Sequence, residues 1–226
     1  LSSIASGLFQ GVSGLTEITL PDTVTGIGNG AFRETGLTSI SIPDAVTTIG
    51  FQAFYNVPIT SLTFPDNISV GSQAFTSTGI TTLVVPEGVQ FHGNNILLSI
   101  PSVCYSLTTL TIAQKLVSGF SGCKKLEKVT LLESVISIGS SAFSSSTSLT
   151  AIELPDSLTS IGDNAFNRSA IRSLDIPDSV TSIGGSAFRE SSLVSVKLPS
   201  NLSSIASGLF QGVSGLTEIT LPDTVT

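Results

Sequence analysis

The sequence predicts a repeat solenoid assembled from short strands and turns. Three observations carry that expectation. A strand-like motif, L-x-x-I-x-L, starts at Leu15, Leu37, Ile59, Ile80, Leu107, Leu126, Leu149, Ile171, Leu193 and Leu216, with spacings of 22, 22, 21, 27, 19, 23, 22, 22 and 23 residues. A unit of that size cannot bury its own apolar face, so neighbouring copies must stack and share one continuous core. Residues 1–25, LSSIASGLFQGVSGLTEITLPDTVT, also return letter for letter as residues 202–226, an offset of 201 that spans nine short repeats.

Each column of the repeat has a physical task. In the first full copy Ile18 and Leu20 alternate with Thr19, the period of two that marks a half-buried strand. Pro21 and Asp22 then stop the strand and start a turn, because proline presets φ and the carboxylate can accept backbone N–H groups. Val24 and Ile27 supply a second short inward-facing segment. Gly28, with Gly50, Gly139, Gly162 and Gly184, fits where the backbone needs positive φ or close approach. An Ala-Phe pair closes each unit at Phe32, Phe54, Phe75, Phe143, Phe166 and Phe188, so stacking should produce a spine of phenylalanines. One elongated domain over 1–226 is expected, uncapped at both ends and cut from a longer tandem array, since the chain starts and stops inside repeats and holds no Met.

The pattern from Ile171 to Phe188, IRSLDIPDSVTSIGGSAF, resembles the BspA-like class of leucine-rich repeats found in bacterial and protist surface proteins, and the resemblance covers essentially the whole chain. It implies a leucine-rich-repeat solenoid with parallel β-strands on the concave face, short strands, turns or 3-10 segments elsewhere, and little α-helix. By association it implies a surface or adhesive role with no catalytic residue. That class often carries A-F-x-x-C; here Cys123 keeps the spacing after Phe120, while Thr35, Val57, Thr78, Ser169 or Ser191 stands there in other copies.

Composition excludes some classes of function. A net charge of −7 with nine scattered basic residues disfavours nucleic acid and anionic membranes. No apolar run approaches the roughly 20 residues needed to cross a bilayer, so no membrane insertion is expected of this segment. Ser and Thr number 64 of 226 residues against 11% charged, a neutral hydroxyl-rich surface that points outside the cell or to its surface. The lone His92 has no partner motif for a metal or a catalytic triad. No enzyme and no cofactor are expected.

Four groups of residues are candidates for sites. On the strand face Ser39, Ser41, Ser61, Thr63, Thr82, Thr109 and Thr111 form hydroxyl columns that could take a glycan, a protein or ice; the bland alternative is a solvated sheet of strand-favouring residues. The irregular repeats at 80–125 hold His92, Tyr105 and the start of the Lys124, Lys125 and Lys128 cluster, either a binding loop or a tolerated bend. Cys104 and Cys123 each lie three residues before a strand start, close enough for a disulfide, although two free thiols packed as small hydrophobes are preferred. Asn67, Asn167 and Asn201 stand in N-x-S sequons. A ladder of acids at Asp22, Asp44, Asp66, Glu87, Glu133, Asp156, Asp178 and Asp223 offers one carboxylate per repeat, too few for calcium, and is read as turn caps. These features favour a structural segment of an extracellular fibre or layer whose partner is itself, end to end or as continuing blocks. The alternatives are an adhesin binding extracellular protein or glycan and, more remotely, an ice-binding surface.

Overall fold

The computed structural model describes residues 2–92, 96, 100 and 103–225. It divides into two compact units, 1–107 and 108–226, and each is a parallel β-solenoid. The first holds β1 (Ser3–Ile4), β2 (Gly26–Ile27), β3 (Thr48–Ile49), β4 (Ser61–Thr63), β5 (Ser69–Val70), β6 (Thr82–Val85), β7 (Gln90–Phe91) and the short helix α1 (Val103–Ser106). The second holds β8 (Thr109–Ile112), β9 (Leu116–Val117), β10 (Lys128–Leu131), β11 (Ser137–Ile138), β12 (Ser160–Ile161), β13 (Ser173–Asp175), β14 (Ser182–Ile183) and β15 (Ser195–Lys197).

The more continuous ladder in each unit is not the L-x-x-I-x-L strand but the second segment. It runs β1-β2-β3-β5-β7 in the first unit and β9-β11-β12-β14 in the second. There Ile4 pairs with Ile27, Ile27 with Ile49 and Ile49 with Val70, all parallel. The L-x-x-I-x-L strands pair only in places: β4 with β6, β8 with β10, and β13 with β15. Residues 15–20, 37–42 and 149–154 form no strand, which corrects the expectation of an unbroken strand column there. Their apolar positions still point inward, since Leu20, Leu37, Ile42, Leu149 and Ile152 are buried. Burial therefore holds the register of these segments without a hydrogen-bonded ladder.

Around each Ala-Phe pair the backbone uses alternate N–H groups in two ways. The amides of Gly30, Phe32 and Glu34 donate to the carbonyls of Phe51, Ala53 and Tyr55 in the next repeat at 2.8 to 2.9 Å, while those of Ala31, Arg33 and Thr35 close turns onto residues three back. The same triple recurs from Gln52, Phe54 and Asn56, from Ser141, Phe143 and Ser145, and from Asn164, Phe166 and Arg168. This alternation needs two left-handed residues per repeat, flanking Ala-Phe. They are Gly30 and Glu34, Gln52 and Asn56, Ser141 and Ser145, Asn164 and Arg168, with φ from 54° to 60°. Left-handed geometry costs a residue with a Cβ about 1–2 kcal/mol, and glycine's extra chain entropy gives back part of that. Ser145→Gly is thus expected to raise stability by up to about 1 kcal/mol, read from the denaturation midpoint.

The glycine column has the other cause that the sequence allowed. Gly28, Gly50, Gly139, Gly162 and Gly184 are not at positive φ; they sit where adjacent repeats touch. A Cβ on Gly162 would lie 2.6 Å from the Ser140 nitrogen, and one on Gly50 would lie 2.6 Å from the Asn29 nitrogen. No side chain fits at Gly28, Gly50, Gly162 or Gly184, whereas at Gly139 the nearest approach would be 3.2 Å, to the Val117 carbonyl oxygen.

Inside, Phe9, Phe32, Phe54 and Phe75 stack at centroid distances of 5.0 to 5.3 Å. In the second unit Phe120, Phe143, Phe166, Phe188 and Phe210 stack at 5.6 to 6.1 Å. Three residues beyond each Phe lies a buried column: Thr35, Val57, Thr78, Cys123, Ser146, Ser169 and Ser191. The threonines turn their hydroxyls back, Thr35 onto the Phe32 carbonyl and Thr78 onto that of Phe75, both at 2.9 Å. The three serine hydroxyls find no partner. An unmet buried hydroxyl costs about 1–3 kcal/mol, and a threonine methyl would hold the hydroxyl toward the carbonyl. Ser146→Thr is expected to stabilise the second unit by about 1 kcal/mol in urea denaturation.

Within the 27-residue repeat a short helix covers Val103–Ser106. Ile96, Ile100, Val103 and Leu107 are buried, at the spacing of one helical face. The amide of Ile100 donates to Ile96 and that of Leu107 to Val103.

Candidate binding faces

The hydroxyl columns form where strands pair. In the first unit Ser61 stands opposite Thr82 and Thr63 opposite Val84. In the second, Thr109 faces Lys128 and Thr111 faces Thr130. Ser39 and Ser41 are exposed but lie outside any strand, so the register does not extend to them. Ser61 and Thr63 are exposed, whereas Thr82, Thr109 and Thr111 are half-buried. Hydroxyls within a column can satisfy one another, as Ser195 Oγ does by donating to Ser173 Oγ at 3.0 Å.

Further along the second unit the strand face becomes charged. A hollow of about 600 Å³ is lined by Ile152, Glu153, Asp156, Asp175, Asp178 and Lys197, among others. Lys197 Nζ lies 3.4 Å from Asp175 Oδ1, both well exposed. Asp178 Oδ1 accepts the Ser200 amide at 2.7 Å, and that bond holds its carboxyl below the usual carboxylate range. Asp178 is therefore a cap, as read from the sequence, but the amide it caps belongs to the next repeat. Asn29 and Asp163 act alike, accepting the amides of Phe51 and Gly185 at 2.8 and 2.7 Å. Among the described residues no group of three or more His, Cys, Asp or Glu is placed to hold a metal ion.

The irregular segment falls in both units. In the first, His92 follows β7 and is exposed, and Tyr105 on α1 is 80% exposed. In the second, Lys124 and Lys125 are exposed on a turn and Lys128 opens β10. Neither cysteine is free: Cys104 and Cys123 are both disulfide-bonded, which corrects the preference for two packed thiols. Alkylation of the native chain without reductant is accordingly expected to label neither residue, and labelling of both would contradict it.

The sequons differ in access. Asn67 and Asn201 are exposed on turns. Asn167 is half-buried, its Nδ2 donates to Asn164 Oδ1 at 3.1 Å, and the hydroxyl of its Ser169 is buried.

Arg33 and Glu190 mark ladders that the sequence reading passed over. Arg33 Nη1 donates to Gln52 Oε1, and Gln52 Nε2 donates to Gln73 Oε1, both at 2.8 Å, so three repeats are linked. The guanidinium also lies 4.7 Å over the Tyr55 ring. In the second unit Arg168 Nε donates to Glu190 Oε2 at 2.7 Å, and the guanidinium holds that carboxyl below its ordinary value.

Short parallel segments, turns with paired left-handed residues and a stacked phenylalanine column define a leucine-rich-repeat type of β-solenoid. The chain belongs to the family of BspA-type leucine-rich repeats, whose pattern matches residues 2–119 and 116–226. Among solved structures it resembles a leucine-rich repeat protein from Bacteroides ovatus, at 23% identity and a TM-score of 0.52, over 100% of this chain and 72% of that one. It also resembles a leucine-rich repeat protein of T. pallidum, at 23% identity and a TM-score of 0.49, over 95% of this chain and 83% of that one. No curated protein matches the sequence. Among the described residues no helix is long and apolar enough to cross a membrane.

Proposed function

We propose that the chain is a non-enzymatic structural segment of an extracellular or cell-surface protein, extended by nine-repeat blocks into a fibre, filament or layer. The observation that carries this reading is the return of residues 1–25 as 202–226, combined with a backbone that uses one bonding pattern at successive repeats. An array of that kind lengthens without new interface chemistry. The neutral, hydroxyl-rich composition and the family's surface setting support the location. Its partner is the same kind of block, and ladders such as Arg33-Gln52-Gln73 stiffen the surface along the stack. Immunogold labelling of native material with an antibody to the face at 151–178 is expected to decorate continuous structures outside the cell. Label confined to the cell interior would refute the reading.

A second reading, an adhesin for extracellular protein or glycan, is favoured by one feature, the 80% exposed Tyr105 on α1. Replacing Tyr105 with Ser should then abolish attachment while the thermal melt stays unchanged.

A further inference from the structure

The chain holds a single Asn-Gly pair, Asn29-Gly30, and both of its residues are pinned by one residue of the next repeat. The Gly30 amide donates to the Phe51 carbonyl at 2.9 Å, and the Phe51 amide donates to Asn29 Oδ1 at 2.8 Å. Asn29 is exposed, so water reaches its side chain. Gly30 stands at a φ of 59° and has no Cβ to shield its own nitrogen. At other asparagines of the turns the following residue carries a side chain: Val57 after Asn56, Ala165 after Asn164 and Arg168 after Asn167.

An unshielded pair of this kind can modify itself with water as the only co-reactant. The Gly30 nitrogen gives its proton to solvent base and attacks Asn29 Cγ. A bond from that nitrogen to Cγ forms, the Cγ–Nδ2 bond breaks, and Nδ2 takes a proton from water and leaves as ammonia. Water then opens the resulting succinimide on one of two sides. Cleavage between Cγ and the nitrogen gives an ordinary aspartate, whereas cleavage between the main-chain carbonyl carbon and the nitrogen gives isoaspartate, with an extra carbon in the main chain. In the stacked repeat the first of these steps is blocked. The proton to be lost is bonded to the Phe51 carbonyl, and Oδ1 is held by the Phe51 amide, so Cγ cannot swing onto the Gly30 nitrogen until Phe51 moves away.

We infer that Asn29-Gly30 is a latent self-modification site, closed while the repeats are stacked and open when the stack parts at Phe51. The chain itself shows what each product does. Asp163-Asn164 occupies the same place in a later repeat, where Asp163 Oδ1 accepts the Gly185 amide at 2.7 Å and the Asn164 amide donates to the Gly185 carbonyl at 3.0 Å. An aspartate at 29 therefore keeps both bonds. Isoaspartate does not, because its longer main chain shifts Gly30 out of register with Phe51. A parted repeat that forms it cannot close again, and local opening becomes a one-way event. The inference goes beyond the structural role proposed above and does not depend on it.

The test incubates the whole chain in mildly alkaline buffer and follows Asn29 by peptide mapping, with electron-transfer fragmentation to separate aspartate from isoaspartate. Conversion is expected to be roughly thirtyfold slower than in a synthetic peptide matching residues 26–34 in the same buffer, since ring closure in the fold must break two hydrogen bonds of ordinary strength. Gly50→Ala is expected to raise the rate toward that of the peptide, because its Cβ would lie 2.5 Å from Asn29 Oδ1 and 2.6 Å from the Asn29 nitrogen. Gly79→Ala should leave the rate unchanged. If Gly50→Ala does not fold, the comparison of the unmodified chain with the peptide decides alone. Asn29→Asp is expected to keep the denaturation midpoint, while isoaspartate-bearing chains should exchange the Gly30 and Phe51 amides fast. Conversion of the folded chain at the peptide's rate, or a folded Gly50→Ala chain that converts no faster than the unmodified one, would overturn the inference; so would slow exchange at Gly30 and Phe51 in the isoaspartate form.

Discussion

Gly50→Ala is expected to cost the first unit about 3 kcal/mol, the upper part of the range for overpacking a tight contact. The added Cβ would sit 2.6 Å from the Asn29 nitrogen and 2.8 Å from the Gly28 carbonyl carbon. Both are backbone atoms of the preceding repeat, so no rotamer change relieves the clash. The stack must open at that step, and it is there that the Gly50 amide donates to the Ile27 carbonyl at 2.8 Å. Gly79→Ala is the control: its Cβ would meet only the Ile59 carbonyl oxygen at 3.8 Å, an ordinary contact, and φ is not positive. Urea denaturation of the pair should separate them clearly, whereas equal losses would show that helix- or strand-like propensity, rather than close approach, fixes glycine at this column.

Phe54→Ala is expected to cost about 3–5 kcal/mol. Its ring is fully buried between Phe32 and Phe75, at 5.2 and 5.0 Å, nearly parallel to both. Removing it leaves a cavity that the rigid turns on either side cannot close, and two stacked contacts are lost rather than one. Phe210→Ala should cost less, because that ring is half-buried and, among the described residues, stacks only on Phe188. The comparison is made by chemical denaturation, and equal costs at the two positions would contradict a spine whose stability comes from stacking on both sides.

Much of this fold was legible because the repeat reports burial directly. The columns of Ile27, Phe32 and Leu37 are apolar in every regular copy, and all three are buried. Hydrogen bonding was less legible. The segments 37–42 and 149–154 keep the alternating pattern of a strand, yet form no strand, since alternation specifies which side faces the core and not how far apart the backbones lie. The left-handed positions were hidden for another reason. They hold Gly30 in one repeat but Gln52, Ser141 and Asn164 in others, so no single residue type marks them. Glycine instead marked the neighbouring column, where contact between backbones excludes any Cβ.

The candidate site was partly visible. Hydroxyl columns at Ser61 and Thr82 follow from register, and the pairing has that register. The spacing of Cys104 and Cys123 before their strand starts allowed a disulfide, but it did not decide between that state, which the structure has, and two packed thiols. The helix at Val103–Ser106 could have been read, since the buried Ile96, Ile100, Val103 and Leu107 are spaced by three or four residues rather than two.

The central structural claim is that alternate amides at the Phe9, Phe32, Phe54, Phe143, Phe166 and Phe188 turns are held by the next repeat. The twin segments test it without any mutation, because their sequences are identical and so is their intrinsic exchange chemistry. Hydrogen exchange followed by NMR in dilute solution should find the amides of Gly7, Phe9 and Gly11 protected and those of Gly208, Phe210 and Gly212 fast. Equal protection of the two sets in a monomeric sample would contradict the account.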